Sequence, residues 1–199
     1  RRVAELHHAA MGNSTWARLG KRFLREMYRA LLQTNEFLGF VYHEEDQIEG
    51  FIAGSTDTSR MMKTAFVRRG HRLAVAALLG LREPSVVLKL LETAQYFRQS
   101  DQGLDLPIPA ESLFCSFTPK LRGKRISGHI NKVLFDSLFS MGHDYVKITT
   151  ETDNEGANRQ LQRWGFEAKG TFQFYGKEMV AYVLHFPSSD RVEPRKWFG

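Results

Sequence analysis

The chain has 199 residues, 42% hydrophobic and 25% charged, with a formal net charge of +6. That length suits one soluble domain, which buries roughly 70% of its unfolded surface and needs no staples. Cys115 is the only cysteine, so an intrachain disulfide is excluded, and a reducing, cytoplasmic setting is expected.

Val3, Leu6 and Ala10 share one helical face. Asn13 or Ser14 then offers an N-cap for a second helix, with Trp16, Leu19, Phe23, Met27 and Leu31 at helical spacing. Arg18, Lys21, Arg22, Arg25 and Arg29 lie between them and read as a solvated face. Arg1-Arg2 leads into the first helix rather than into a signal peptide. A hairpin follows: Leu38–Glu44, a turn at Glu45-Asp46-Gln47, and Ile48–Ser55. Gly50 and Gly54 inside its second strand point to a close approach or a bulge.

Residues 58–110 read as a helical insertion between two strands. Met61–Leu81 is basic early and apolar late, and its run Leu73–Leu81 spans nine residues where a membrane-crossing helix needs about 20. Pro84 starts another helix to about Arg98, and Ser100–Pro109 is a loop. The insertion is expected outside the central sheet, on the acceptor side of the cleft.

Ser112–Thr118 is a strand, Pro119–Lys124 a basic turn, and Ile126–Met141 a helix ended by Gly142. Tyr145–Thr150 is a strand and Glu155–Trp164 a helix capped by Gly165. Phe172–Tyr175 and Met179–Phe186 form a closing hairpin around Gly176-Lys177, before a tail at 188–199. Two β-α-β links embedded in hairpins imply an α/β class, with a mixed sheet carrying helices on its faces.

The segment from Phe114 to Gly128 carries the chemistry. A strand ends, Lys120, Arg122, Lys124 and Arg125 follow within six residues, and a helix begins. Amides at a helix start, with its dipole, bind phosphate. Glycine lets backbone approach a ligand, and the cations could neutralise a pyrophosphate. A basic turn without a ligand fits the same residues. In the later run Asn154–Phe166, Asn154 serves as a helix cap, Ala157 permits close packing, and Gly165-Phe166 leads into a strand.

Together these segments resemble the GNAT superfamily of acetyl-CoA-dependent N-acyltransferases. The turn is similar to the family's Arg/Gln-x-x-Gly-x-Gly/Ala loop, and Asn154, Ala157 and Gly165-Phe166 match its Asn-x-x-Ala…Gly-Phe segment. The resemblance covers residues 1–57 and 111–186. It implies a GNAT-like acyl-CoA N-acyltransferase fold over 1–199, with the helical insertion between the third and fourth strands of the family's count and a first strand expected before residue 1. It also implies that the fourth and fifth strands splay apart around acetyl-CoA. Backbone groups at Cys115 and Phe117 would then meet the pantetheine arm, with the Phe117 N–H polarising the thioester carbonyl. Arg122, Gly123, Lys124, Arg125, Ile126, Ser127 and Gly128 would hold the pyrophosphate, and Asn154 and Asn158 would line the other wall.

Three residues depart from the pattern. Arg125 replaces the loop's first glycine, Ser127 its second small residue, and Leu161 stands where many members carry a tyrosine that protonates the thiolate. Glu111 at the strand start is a candidate general base, or a solvent-facing residue; Tyr175 is a reserve acid or base. His7 and His8 are expected on a helix surface, and Cys115 as a small core residue.

The expected activity is direct acetyl transfer to a primary amine, or a hydroxyl, of a small-molecule or peptide acceptor. A non-catalytic CoA-binding regulatory domain is the alternative. The net charge raises a nucleic-acid module, but the cations are scattered, with no reading helix, zinc spacing or base-stacking motif. Arg68, Arg69, His71 and Arg72 beside Leu73–Leu81 suggest a membrane-surface contact through 66–81; a substrate lid or homodimer contact is the stronger reading.

Overall fold

The computed structural model describes residues 1–11, 15–80, 107–121, 123–174 and 176–194. The second expected helix is in fact two, α2 (Thr15–Arg18) and α3 (Gly20–Leu31), after α1 (Arg2–Ala10). The break falls at Gly20, whose φ of +87° is costly for any residue with a Cβ. Asn13 and Ser14 lie outside the described residues. In α3, Phe23, Leu24, Met27, Tyr28 and Leu31 are buried while Lys21, Arg22, Arg25 and Arg29 are exposed, as the helical period requires.

The hairpin is β1 (Phe37–Glu44) and β2 (Gln47–Ser55). Their register steps from Tyr42↔Gly50 to His43↔Ile48, which leaves Glu49 as an extra, bulged residue. Both β2 glycines mark close approaches. A Cβ on Gly50 would stand 2.2 Å from the Phe117 ring, and one on Gly54 2.8 Å from a Leu134 methyl.

α4 (Thr58–Gly80) follows β2 within the segment expected as an insertion, and the Thr58 N–H ties its start to the Pro109 carbonyl at 3.2 Å. The helix expected from Pro84 lies outside the described residues, as does the loop as far as residue 106. Then come β3 (Glu111–Phe117), α5 (Ile126–Ser140), β4 (Tyr145–Glu151), α6 (Glu155–Trp164), β5 (Glu167–Phe174) and β6 (Lys177–His185). β5 begins five residues before the expected Phe172. It is an edge strand whose first residues, Glu167 to Lys169, are exposed. Edge strands carry such charges, and these erase the apolar alternation that marks a strand.

The strands form one six-stranded sheet in the order β1-β2-β3-β4-β6-β5. All neighbours are antiparallel except β3 and β4, which are parallel. Alternation along β2 separates two cores. Phe51 and Ala53 join α1, α3 and α4 on one face, while Ile52 joins α5, α6 and β6 on the other. Phe135 centres the second, with Trp164 at 5.2 Å and Phe166 at 5.6 Å between ring centroids.

His7 is not on the surface: it is 1% exposed and sits in the first core. Its Nδ1 lies 2.7 Å from the Tyr28 hydroxyl, and its ring 4.7 Å from that of Phe114. The apolar neighbours of α1, α3 and β3 outweigh the exposure expected of a histidine late in a short helix. Desolvation lowers its pKa to about 4 and raises that of Tyr28.

Two expectations follow. Gly54→Ala should cost about 1–3 kcal/mol in urea unfolding, because Leu134 is fully buried and cannot yield to the new methyl. His7 binds a proton more readily unfolded than folded, so its contribution falls as pH drops from about 6.5 to about 4. His7→Gln should remove up to about 3 kcal/mol of the stability lost between about pH 7 and pH 4.5, read as the difference between the two proteins' unfolding curves.

Candidate active site

The parallel ladder between β3 and β4 is short. It contains Glu111↔Lys147 and Ser112↔Ile148 and then stops. β3 stays paired with β2 as far as Phe117, and β4 with β6 as far as Glu151. The two strands therefore fork, each anchored on its outer side.

A bulge sits where the fork opens. Ala53 pairs with Phe114 and Gly54 with Ser112, so Leu113 is an extra residue in β3. An extra residue reverses which backbone groups face which neighbour. Below the bulge, the Lys147 N–H donates to the Ala110 carbonyl, so Ala110 faces β4. Above it, the Thr118 N–H donates to the Glu49 carbonyl at 2.8 Å, so Thr118 faces β2. Alternation then turns the N–H and C=O groups of Cys115 and Phe117 into the fork. Without Leu113, those of Phe114 and Ser116 would face it instead.

The chain leaves β3 through a short 3₁₀ turn, Pro119–Leu121. Gly123 has φ +79° and Arg125 φ +58°. Arg125 thus adopts the left-handed geometry of the glycine it replaces, at a cost on the order of 1 kcal/mol or more. No side chain caps α5. The first bonds within it run from the Gly128 and His129 N–H groups to the Arg125 carbonyl, which leaves the amides of Ile126 and Ser127 at the helix start ahead of the dipole. A Cβ on Gly128 would meet nothing within 4 Å, so the space over this turn is open. Arg122 lies outside the described residues.

The loop cations are not equivalent. Lys120 Nζ lies 2.7 Å from Glu49 and 3.2 Å from Glu44, and Lys124 Nζ lies 3.6 Å from Glu44. Lys120 holds both carboxyls below the usual range. Two of the four cations expected to face a phosphate are thus already engaged by the β1–β2 hairpin. Arg125 is exposed and has no acidic partner among the described residues.

On the other wall, Asn154 is the cap its position suggested: its Oδ1 accepts the Ala157 N–H at 3.2 Å. Asn158 Nδ2 donates to the carbonyls of Glu151 at 3.3 Å and Thr152 at 3.0 Å. The Asn158 side chain thus fastens α6 to the end of β4, while that of Asn154 closes the first turn of the helix. Asn158 Oδ1 is buried and has no hydrogen-bond partner among the described residues. Leu161 is buried in the second core.

Glu111 is 1% exposed, not solvent-facing, and stands beside the buried Lys147 at the closed end of the fork. Each is engaged by a neighbouring group. Lys147 had no signal in the sequence, since only the strand register sets it against Glu111. Burial pushes the Cys115 thiol up to about 12, which leaves it protonated and unsuited to nucleophilic attack. Tyr175 lies outside the described residues.

No protein-family profile matches the sequence, and no curated protein sequence is significantly similar to it. Solved structures do match. An N-acetyltransferase from Staphylococcus aureus Mu50 superimposes with a TM-score of 0.55 at 14% identity, over 92% of this chain and 90% of its own. Ard1 from Thermoplasma volcanium gives 0.54 at 12% identity, over 92% and 88%. A protein from Desulfovibrio desulfuricans, assigned to the GNAT acetyltransferases, gives 0.55 at 10% identity, over 92% and 89%. Identities this low speak for architecture, and on that ground the chain has the fold of the GNAT acetyltransferases.

Proposed function

We propose that this protein transfers an acetyl group from acetyl-CoA to a primary amine. The observation that carries this reading is the fork. It offers a slot edged by backbone donors and acceptors at Cys115 and Phe117, with the uncapped turn at Arg125–Gly128 following at its open end. A pantetheine arm is a chain of amides and needs such an edge; a pyrophosphate needs the helix start. An arm entering past the turn meets Phe117 first and Cys115 next, so in this reading its thioester lies toward the closed end, beyond the Phe117 amide first expected to polarise it.

In this reading the amine attacks the thioester carbonyl directly. The carbon–nitrogen bond forms, the carbon–sulfur bond breaks, and the sulfur leaves as the thiolate of CoA. A fork amide stabilises the oxygen as charge develops on it. The amine must shed a proton, and in this reading Glu111 at the closed end receives it through a water. Leu161 supplies no proton to the thiolate, but a thiol of pKa about 8.5 leaves without one at alkaline pH.

Titration calorimetry with acetyl-CoA, followed by an acceptor screen over amines, tests the proposal. Saturable binding with release of free thiol supports it, binding without turnover supports the regulatory-domain alternative, and no heat at millimolar concentration refutes both.

Arg125→Gly should raise or hold thermal stability, since the left-handed strain is relieved, while weakening acetyl-CoA several-fold through loss of a phosphate contact, roughly 1 kcal/mol. Tighter binding would show that the guanidinium makes no such contact. Glu111→Gln should cut kcat at least about tenfold with acetyl-CoA affinity nearly unchanged, and should flatten the acidic limb of the pH–rate profile. Its melting curve must be followed in parallel, because Lys147 is buried beside it. Wild-type kcat in a folded variant would assign Glu111 to structure alone.

A further inference from the structure

α3 and α4 lie side by side over one face of the sheet. Arg68 donates to the Gln33 carbonyl at 2.6 Å and Arg69 to Gln33 Oε1 at 2.7 Å. The two helices carry nine Lys and Arg residues against a single carboxylate, Glu26, which Arg29 and Arg69 already engage. Lys21, Arg22, Arg25, Lys63 and Arg72 are exposed and have no acidic partner among the described residues.

Apolar side chains stand among these cations. Val67 is 79% exposed, Leu32 70%, Val75 51% and Phe66 40%. These four belong to a set of seven exposed large hydrophobics among the described residues, so the apolar exposure is concentrated on α4 and the end of α3. Lys63, Val67, His71 and Val75 recur at four-residue spacing and form one row along α4, with Arg68 and Arg72 in the next.

The combination selects its partner. A second copy of the same face would bring like charges together. A nucleic acid would satisfy the cations but gives aliphatic knobs nothing to stack on. A bilayer rich in anionic lipid uses both, with cations at the phosphates and aliphatic side chains just below them. We infer that the α3–α4 face docks on an anionic lipid surface, with Val67, Val75 and Leu32 entering the headgroup boundary and the exposed Lys and Arg side chains meeting lipid phosphates.

The test is co-sedimentation of the full chain with phosphatidylcholine vesicles, with and without about 30% phosphatidylglycerol. Phosphatidylglycerol should raise partitioning at least about tenfold, and added salt should reverse the gain. Val67→Asp with Val75→Asp, and separately Arg22→Gln with Arg25→Gln and Arg72→Gln, should each lower partitioning at least about tenfold while the melting temperature holds. Equal partitioning onto both vesicle types would overturn the inference. So would undiminished binding by the valine variant, or tighter binding to duplex DNA at matched salt that ignores the valines. Acetyl-CoA titration of the same variants keeps this result separate from the fate of the acyl-transfer reading.

Discussion

The ladder between β3 and β4 ends after Ser112, and the candidate site is built around that interruption. A parallel pair surrounded by ordinary pairs would close the sheet and leave no backbone to offer a ligand. Here β2 and β6 hold the outer edges while Leu113 adds one residue on the inner side. The extra residue bends the strand, opens the fork and exchanges the set of amides that face it. Gly54, next to the shift, leaves the room that Leu134 of α5 fills. The same few residues therefore position the slot and press α5 against the sheet.

Charge around the turn is balanced rather than merely positive. Glu44 and Glu49 come from the neighbouring hairpin and draw Lys120 and Lys124 toward it. Glu49 is itself a bulged residue, so an irregularity of the hairpin lies against this loop. Among the described residues, what remains for an incoming anion is a set of main-chain amides and the exposed Arg125. Amides are fixed dipoles that need no rearrangement, whereas lysines on long stems must first leave their carboxylates.

Much of the architecture is legible in the sequence because helices and buried strands carry strong periods. The hairpin at 37–55, the helix after the basic turn and the Asn154 cap are all local patterns. What escapes depends on contacts between distant segments. His7 reads as a surface residue until Tyr28, Phe51 and Phe114 are brought around it. β5 hides its first half because an edge strand needs no apolar alternation. The pairing of Lys120 and Lys124 with the hairpin cannot be seen from a run of cations alone. Leu113 is an ordinary strand residue by type, and only the register of β2 against β3 reveals it as the bulge.

The ion pairs at the turn form a continuous chain from Arg2 in α1 through Glu49 and Lys120 to Glu44 and Lys124. Such a chain has a thermodynamic consequence. An anion that draws Lys124 away from Glu44 removes one tether from the hairpin tip, and a hairpin tip that holds Lys124 firmly opposes the anion by the same amount. Occupancy of the turn and order in a strand pair at the sheet's far edge thus become two readings of one equilibrium. Amide exchange at residues 44–47 would then report on a ligand that never touches them.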